Sequence, residues 1–264
     1  MNHPWRNQWA LITGASAGIG SALAHELAEG KANLVLTARR QDRLEKLAAQ
    51  LREKYGVEVR TFAADLEDSE GPRRIRSFTE ENGLTVEVLV NNAGFGAYGE
   101  QYTSPVDRQL AMVQVNCLAV VHLTQLYLPA MVARRSGAIL ILASTAAFQP
   151  VAYINTYAAT KAFDLLFAEG LAEEVERFGI KVCALCPGPT QSEFSQIAGT
   201  PRHAAVRVQT AEEVARIGLR ALAEGKHSVL TSFANKMQVE LQRLAPRRFV
   251  VKMAAKIFRP KELT

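Results

Sequence analysis

Short apolar runs alternate with segments of helical spacing along almost the whole chain. Several runs are apolar at nearly every position, which is typical of parallel strands covered on both faces. Seven strands are predicted on this basis: Trp9–Thr13, Asn33–Ala38, Val57–Ala63, Val86–Val90, Ala138–Ala143, Ile180–Cys186 and Ser228–Thr231. The intervening segments repeat apolar residues three and four positions apart. The pattern predicts an α/β fold, a Rossmann-like doubly wound parallel sheet of about seven strands with helices on both faces.

Length and composition favour one domain. The chain has 264 residues, of which 48% are hydrophobic and 22% charged, and it contains no polar linker between separate cores. A chain of this length can form one large α/β domain. We therefore expect a single Rossmann-like domain over residues 1–233, followed by a basic amphipathic extension over residues 234–264.

The basic charge lies at one end of the chain. Residues 234–264 contain eight basic and two acidic residues, so the net charge of +5 arises in this segment and not in the body. A nucleic-acid-binding protein instead spreads its basic residues over one binding face. We therefore expect no nucleic-acid partner.

The cysteines and the first strand bear on the compartment. Three cysteines are an odd number, and a strand that begins near Gln8 leaves no room for a secretory signal peptide. Cys183 and Cys186 form a C-x-x-C pair inside a predicted strand, where residues three apart face opposite sides. Buried structural thiols are therefore favoured over a redox or metal site. We expect a reducing, cytoplasmic location and no metal ion.

The longest apolar stretch, Cys117–Ala133, is interrupted by His122, Thr124 and Gln125. It falls short of the ~18 apolar residues that indicate a membrane-spanning helix. The sequence therefore predicts no transmembrane segment.

A glycine-rich turn follows the first predicted strand. Residues 13–20 read T-G-A-S-A-G-I-G, and a helix is predicted from about Ser21 to Glu29. Glycines allow the backbone to pass close to a pyrophosphate, and a helix N-terminus presents free N–H groups to it. Read alone, the segment could also be an ordinary tight loop. Its place between the first strand and the first helix favours a dinucleotide site formed by Gly14, Ser16, Gly18, Ile19 and Gly20.

A second set of polar residues has the chemistry of proton transfer. Tyr157 and Lys161 lie four residues apart in the helical pattern Thr156–Phe178, so both stand on one helix face. Tyrosine has an ordinary pKa of about 10, and a nearby cation favours its phenolate. An isolated pair of this kind is common on helix surfaces. Here Ser144 follows the strand Ala138–Ala143 and offers a hydroxyl that can hold a carbonyl oxygen beside the phenol.

These motifs together resemble the short-chain dehydrogenase/reductase family, and the resemblance covers about residues 7 to 232. It implies a catalytic tetrad of Asn116, Ser144, Tyr157 and Lys161. Ser144 would orient and polarise the carbonyl, and Tyr157 would be the general acid or base. Lys161 would lower the pKa of Tyr157 and bind the nicotinamide ribose, and Asn116 would hold a proton-relay water.

The end of the second strand bears on the choice of cofactor. An acidic residue here selects NAD, whereas a nearby arginine accommodates the 2′-phosphate of NADP. Ala38 stands where the acid is expected, and Arg39 and Arg40 follow it. A guanidinium can bind a phosphate through two parallel hydrogen bonds. We expect NADP(H), although the two arginines can also be read as the solvated start of the next helix.

The resemblance implies further cofactor contacts. Asp65 would lie at the adenine ring, and Asn92, Ala93 and Gly94 after the fourth strand would form an adenine-side motif. Pro187, Gly188 and Thr190 would form a loop that faces the nicotinamide. Tyr157 and Lys161 would contact the cofactor as well. Each segment alone reads as a turn after a strand. Their common order and spacing support one another.

The expected function is an NADP-dependent carbonyl reductase or alcohol dehydrogenase acting on an apolar ketone or secondary alcohol. The first alternative is a non-catalytic NADPH-binding interaction protein on the same fold, since a fold alone does not establish an activity. Such a protein would lack part of the tetrad. The second is a related non-redox lyase. Such lyases replace the nucleotide glycines and the lysine, and this chain has both. Aromatic residues flank the expected pocket: Phe95, Tyr98, Phe148, Tyr153 and Phe194.

Two surfaces suggest partners. The predicted helices from Pro105 to Ala133 and from Tyr157 to Arg177 carry more apolar positions than one buried stripe requires, so we expect a homodimer or homotetramer. The extension places apolar residues on one arc and basic residues on the other, with Pro246 dividing it. We expect the extension to dock on an anionic membrane surface or on a partner, without a part in catalysis. The alternative is that its apolar arc packs on the body or across an oligomer interface.

Overall fold

The computed structural model describes residues 4–199 and 208–260. Seven parallel strands form one sheet in the order β3-β2-β1-β4-β5-β6-β7. Their bounds are β1 (Trp9–Thr13), β2 (Asn33–Ala38), β3 (Val59–Ala63), β4 (Val86–Asn91), β5 (Gly137–Leu142), β6 (Ile180–Cys186) and β7 (Ser228–Leu230). The predicted doubly wound sheet is confirmed, with strand ends that differ from the expected ones by at most two residues.

Helices cover both faces of the sheet. They are α1 (Gly18–Glu29), α2 (Gln41–Tyr55), α3 (Gly71–Glu81), α4 (Val106–Val113), α5 (Ala119–Arg134), α6 (Asn155–Val175), α7 (Phe194–Ala198), α8 (Ala211–Ala223), α9 (Phe233–Arg243) and α10 (Arg247–Phe258). The first helix begins at Gly18, three residues before the predicted start. The second half of the glycine turn is therefore the first turn of α1.

The strand order reverses at β1, which pairs with β2 on one side and with β4 on the other. In open α/β sheets, ligands bind beyond the carboxyl ends of the strands at such a reversal. The glycine turn follows β1 directly, so the fold places it at this point.

The core has one layer on each face of the sheet. Cys183 packs in the layer formed with α1 and α8, and Cys186 packs in the opposite layer, formed with α5 and α6. Both thiols are free and buried. Burial raises the pKa of Cys183 to about 12, so it is a neutral thiol near pH 7. The C-x-x-C spacing thus places two structural thiols on opposite faces of β6.

Residues 106–134 form one continuous helix, in which a π-helical turn (Gln114–Leu118) joins α4 to α5. Within the described residues, it is the one helix long and apolar enough to cross a membrane by length and composition. Its bounds lie within one residue of the helix predicted from Pro105 to Ala133, and the apolar stretch Cys117–Ala133 forms only part of it. Half of its most apolar window is buried inside the protein, and Leu123 and Tyr127 pack on the sheet. These are the contacts of a core helix.

The last two helices lie against the rest of the protein. Pro246 separates α9 from α10. Ala254 of α10 is buried with Val151 and Ile154, and the Tyr98 hydroxyl donates a hydrogen bond of 2.9 Å to the carbonyl oxygen of Phe258. Residues 261–264 of the expected extension lie outside the described residues, as do residues 1–3 and residues 200–207.

Candidate active site

A cavity of about 2050 Å³ opens at the carboxyl ends of the strands. Ligand pockets for drug-sized molecules commonly measure ~300–1,000 Å³, so this one has room for a dinucleotide and a second molecule. Sixteen of the expected site residues line it: Gly14, Ser16, Gly18, Ile19, Gly20, Arg39, Arg40, Asp65, Asn92, Ala93, Gly94, Ser144, Tyr157, Pro187, Gly188 and Thr190. The other two, Asn116 and Lys161, are buried behind this lining.

The glycine turn depends on close backbone approach. Gly14 has a φ of +65°, a conformation that L side chains rarely adopt. A Cβ on Gly20 would collide with the Gly14 carbonyl oxygen and would lie 2.5 Å from the Asn92 amide nitrogen. Asn92 in turn donates a hydrogen bond of 2.8 Å to the Thr13 carbonyl oxygen. The end of β4 therefore holds the turn against the start of α1.

Two arginines lie at the side of the cavity where β2 ends. Arg39 pairs with Glu67 at 2.8 Å. Arg40 pairs with Glu193 at 3.0 Å and donates a hydrogen bond of 3.1 Å to the Ser16 hydroxyl. Exposed ion pairs of this kind contribute little stability and rearrange readily, so both guanidinium groups are available to an anionic ligand.

Tyr157 and Ser144 approach each other across the floor of the cavity. The Ser144 hydroxyl accepts a hydrogen bond of 3.1 Å from the Ala146 N–H. Burial raises the pKa of Tyr157, while the Lys161 charge and the nearby Ser144 hydroxyl act to lower it. The phenol is therefore protonated near pH 7 and can donate that proton to an acceptor in the cavity.

Lys161 is fixed below Tyr157 by two acceptors. Its Nζ donates to the Leu142 carbonyl oxygen at 2.7 Å and to Asp164 Oδ2 at 2.9 Å. It lies 6.0 Å from the centre of the Tyr157 ring. A Cβ on Gly94 would come within 3.5 Å of Nζ, so the cavity wall passes close to the ammonium group.

Asn116 lies in the π-helical turn, a feature often found at functional sites. Its Nδ2 donates to the Phe95 carbonyl oxygen at 3.0 Å and to Thr160 Oγ1 at 3.0 Å, and its Oδ1 accepts from the Phe95 N–H at 3.1 Å. The Asn116 side chain thus ties the loop after β4 to α6, immediately before Lys161.

The loop after β6 is held by its own polar groups and by α9. The Thr190 hydroxyl donates to the Gly188 carbonyl oxygen at 2.9 Å. A Cβ on Gly188 would collide with the side chain of Asn235, so α9 packs tightly on this loop. Pairing between Thr190 and Gln209 closes the loop on its other side.

The pocket aromatics divide into two groups. Phe95 and Phe194 line the cavity, and the Phe194 ring lies 4.9 Å from that of Tyr157. The expectation that Tyr98, Phe148 and Tyr153 flank the pocket is wrong, because none of them lines it. The Tyr98 hydroxyl instead bonds to the end of α10.

Sequence reasoning missed several residues of the site. Asp164 carried a signal, because it is a lone acid in an apolar helical stretch and stands three residues after Lys161. Glu67 and Glu193 carried none, since ion pairs over 28 and 153 positions depend on the tertiary fold. The apolar lining from α9 and α10 was also missed: Met237, Leu241, Phe249, Val250, Met253 and Ile257.

No metal ion was expected. Among the described residues, Glu173, Glu176 and His227 bring ligand atoms within 4.8 Å of one another. Both glutamates are exposed, and none of the three residues lines the cavity. The group is therefore unconnected with the candidate active site.

Comparisons with known proteins agree with this geometry. The very-long-chain 3-oxoacyl-CoA reductase of Bos taurus is 35% identical over 198 residues, which is 74% of this chain and 63% of that protein. The chain thus matches less than two thirds of the length of this curated relative.

Solved structures match more completely. A short-chain dehydrogenase from Sphingobium yanoikuyae in complex with NADPH is 30% identical with a TM-score of 0.81, covering 90% of this chain and 94% of that one. A 7β-hydroxysteroid dehydrogenase is 26% identical with a TM-score of 0.87, covering 97% and 100%. The family model for short chain dehydrogenases matches residues 8–202. The chain therefore belongs to the short-chain dehydrogenase family.

Proposed function

We propose that this protein is an NADPH-dependent carbonyl reductase that also runs in reverse as an alcohol dehydrogenase, acting on an apolar ketone or secondary alcohol. One observation carries the proposal. The Tyr157 phenol, with Ser144 in the same lining and Lys161 beneath it, faces a cavity that continues to the glycine turn. A proton donor and a dinucleotide cradle thus share one space.

The residues present fit a dinucleotide. Gly20 packs against the Gly14 carbonyl oxygen and Asn92, which holds the glycine turn at the start of α1, and the N–H groups of that first helical turn can receive a pyrophosphate. Arg39 supports NADP over NAD, because a guanidinium matches a phosphate and Ala38 offers no carboxylate to a ribose hydroxyl. When bound, the nicotinamide supplies or accepts the hydride.

The side chains account for the proton. Ser144 holds the carbonyl oxygen beside Tyr157, and the protonated phenol donates to that oxygen as negative charge develops there. Lys161 stabilises the phenolate that remains, since its ammonium is the nearest cation. Asn116 fixes the loop that carries Gly94 close to Lys161.

The substrate is proposed to be long and apolar. The cavity exceeds the needs of a dinucleotide, and its outer part is lined by apolar side chains of α9 and α10, among them Met237, Val250 and Met253. The curated relative named above reduces very-long-chain 3-oxoacyl-CoA. Long-chain 3-oxoacyl thioesters are therefore the first substrate class to test, followed by bulky ketones such as steroids.

The assembly is proposed to be a homodimer or homotetramer in the cytoplasm. Leu110 and Leu118 on the long helix and Leu166 on α6 are exposed, at 63%, 54% and 70%. Within the described residues, α1, α2 and α3 carry no exposed large apolar side chain. Most exposed apolar side chains of α9 and α10 line the cavity, whereas Leu110, Leu118 and Leu166 do not, which supports an interface formed by α4, α5 and α6.

The described part of the extension, residues 234–260, is proposed to form the outer wall of the substrate cavity. The contacts of Ala254 and Phe258 with the rest of the protein favour this role. Peripheral membrane contact through the basic side of α10 is the alternative.

The competing function is a non-catalytic NADPH-binding protein on the same fold. Turnover decides between the two. The purified chain should consume NADPH when it is given a panel of 3-oxoacyl thioesters, steroids and smaller ketones, and the product should be the corresponding alcohol. Tight NADPH binding without consumption for any member of the panel would favour the binding protein.

A further inference from the structure

A buried carboxylate lies against the candidate catalytic lysine. Asp164 stands three residues after Lys161 on α6, and the side chains of Asp164 and Lys161 are 0% and 4% exposed. Their charged atoms lie 2.9 Å apart. A buried charge is costly unless it is paired, so each group requires the other. Asp164 is not one of the four residues to which the resemblance assigns a role.

The pair restricts where the lysine can point. An ammonium group has three N–H donors. One donates to the Leu142 carbonyl oxygen and one to Asp164 Oδ2. The third remains for the side on which Gly94 borders the cavity, where a Cβ would come within 3.5 Å of Nζ. Asp164 therefore determines which N–H of Lys161 is left for the cavity side at Gly94.

The surrounding groups leave Asp164 as the only counter-charge for Lys161 among the described residues. The titratable neighbours are Tyr157 on the same helix, Cys117 in the π-helical turn and Cys186 on β6. Burial raises the pKa of Cys117 to about 12, and it raises that of Cys186 as well, so both are neutral thiols. Tyr157 is protonated near pH 7.

The Asp164 carboxylate accepts its hydrogen bond from Lys161. Its second oxygen, Oδ1, is buried and has no hydrogen-bond partner among the described residues. Burial alone would lower the pKa of Lys161, and the adjacent Asp164 holds it above its usual value. Without Asp164, the buried lysine would lose its proton more readily.

We propose that Asp164 is a positioning residue for the reductase: it aims the Lys161 ammonium at the cavity and keeps it charged beside Tyr157. The catalytic part of this proposal rests on the proposed function. The effect of Asp164 on the proton affinity of Lys161 and Tyr157 can be measured without turnover. Removing a buried negative charge favours loss of the first proton from the Lys161–Tyr157 pair, whichever of the two groups gives it up.

Asp164→Asn tests the proposal because it keeps the shape of the side chain and removes the charge. Carbonyl reduction needs the Tyr157 phenol and a charged Lys161. We expect the fall of kcat/KM at alkaline pH to move down by about one pH unit or more in the variant, measured from about pH 6 to about pH 11. On that limb the rate should fall about tenfold below wild type.

Two variants complete the comparison. Glu174→Gln removes an exposed carboxylate from the same helix and should leave the alkaline limb in place. Asp164→Glu retains a charge and should keep the limb near its wild-type position even if kcat falls. If Asp164→Asn does not fold, Asp164→Ser also removes the charge and carries the same expectation.

A second readout requires neither substrate nor turnover. The ionisation of Tyr157 is followed by the near-ultraviolet difference absorbance of the free protein against Tyr157→Phe, with and without Asp164→Asn. We expect the titration of Tyr157 to shift in the variant, because both the Asp164 charge and the charge state of Lys161 act on the phenol. An unchanged Tyr157 titration, with a loss of thermal stability alone, would overturn the proposal. Wild-type protein that reduces no carbonyl while the titration shifts as expected would reject the proposed function and retain the role of Asp164.

Discussion

Arg39 Nη1 lies 2.8 Å from Glu67 Oε1, beyond the ends of β2 and β3 and at the edge of the cavity. The pair is exposed, so it holds the guanidinium in place without committing it to the carboxylate. A phosphate carries more charge than a carboxylate and accepts two parallel hydrogen bonds, and it should displace Glu67.

The first prediction concerns Arg39→Ala. The Kd of NADPH should rise about tenfold, which corresponds to about 1.4 kcal/mol, because a charge-assisted contact to the 2′-phosphate is lost. The Kd of NADH should stay the same, since NADH has no such phosphate. Cofactor fluorescence titrations measure both. Arg73→Ala, which removes an exposed arginine outside the cavity lining, is the control.

The same reasoning extends to a reversal of preference. Ala38→Asp combined with Arg39→Ala replaces the phosphate partner by an acceptor for the ribose hydroxyl, so the variant should prefer NADH. Equal use of NADH and NADPH by the wild-type protein would contradict the role given to Arg39.

The sheet could be predicted from the sequence because parallel strands are buried on both faces. Runs such as Asn33–Ala38 and Ile180–Cys186 are apolar at most positions, and their bounds match β2 and β6. The start of α1 was misplaced because glycines usually mark loops, whereas here they form the first helical turn.

The order of the motifs also placed most site residues in one cavity, because the carboxyl ends of parallel strands share one edge of the sheet. What covers that edge could not be predicted. The helical spacing of Val250, Met253 and Ile257 shows that they share one face, but spacing does not say what the face contacts. The salt bridge of Glu193 to Arg43, 150 positions earlier, likewise exists only in the folded chain.

The second prediction is that Tyr157→Phe lowers kcat by about 10²- to 10⁴-fold, the usual contribution of a positioned proton donor. The Kd of NADPH should change by about threefold or less, since the ring and the cofactor contacts remain. Steady-state rates and a fluorescence titration give the two numbers. Tyr102→Phe removes an exposed hydroxyl and should change neither. Undiminished reduction by Tyr157→Phe would reject the assignment of the proton donor.

The third prediction follows from the raised pKa of Tyr157, which is caused first by burial. A raised pKa keeps the phenol protonated through neutral pH. Reduction, which consumes that proton, should therefore be flat across neutral pH and fall only as the phenol ionises in the alkaline range. Alcohol oxidation needs the phenolate and should rise with pH over the same range. A pH–rate profile in both directions checks this, and a reduction rate that falls from acid to neutral pH would contradict it.

The fourth prediction concerns the exposed apolar side chains of the long helix and α6. Leu166 is 70% exposed, so Leu166→Glu should cost the monomer little while placing a charge inside the proposed interface. We expect the molar mass measured by light scattering to drop towards that of one chain. Gln50→Glu adds the same charge on α2 and should leave the assembly intact. A monomeric wild-type protein, or an unchanged mass for Leu166→Glu, would rule out this interface.

The fifth prediction separates the two roles proposed for the C-terminal helices. Along α10, Val250, Met253 and Ile257 line the cavity, whereas Lys252 and Lys256 are exposed and lie outside its lining. The two sides can therefore be changed independently. If the helix is a wall of the substrate cavity, a polar side chain on the inner side weakens the binding of an apolar chain. If it docks on an anionic membrane, each lost cation costs about 1 kcal/mol of attraction, which salt also screens.

Met253→Gln should accordingly raise KM for a long-chain ketone by about 100-fold at most, since full burial of one side chain is worth about 1.5–3 kcal/mol. Its KM for a short ketone should not change. Lys252→Gln with Lys256→Gln should leave both KM values alone. Co-sedimentation with anionic liposomes at low and high salt, for the full chain and for a truncation after Ser232, measures the other role. Salt-sensitive binding that is lost in the double lysine variant and in the truncation would establish membrane docking. If Met253→Gln left every KM unchanged while liposome binding was absent, α10 would be neither a substrate wall nor a membrane contact.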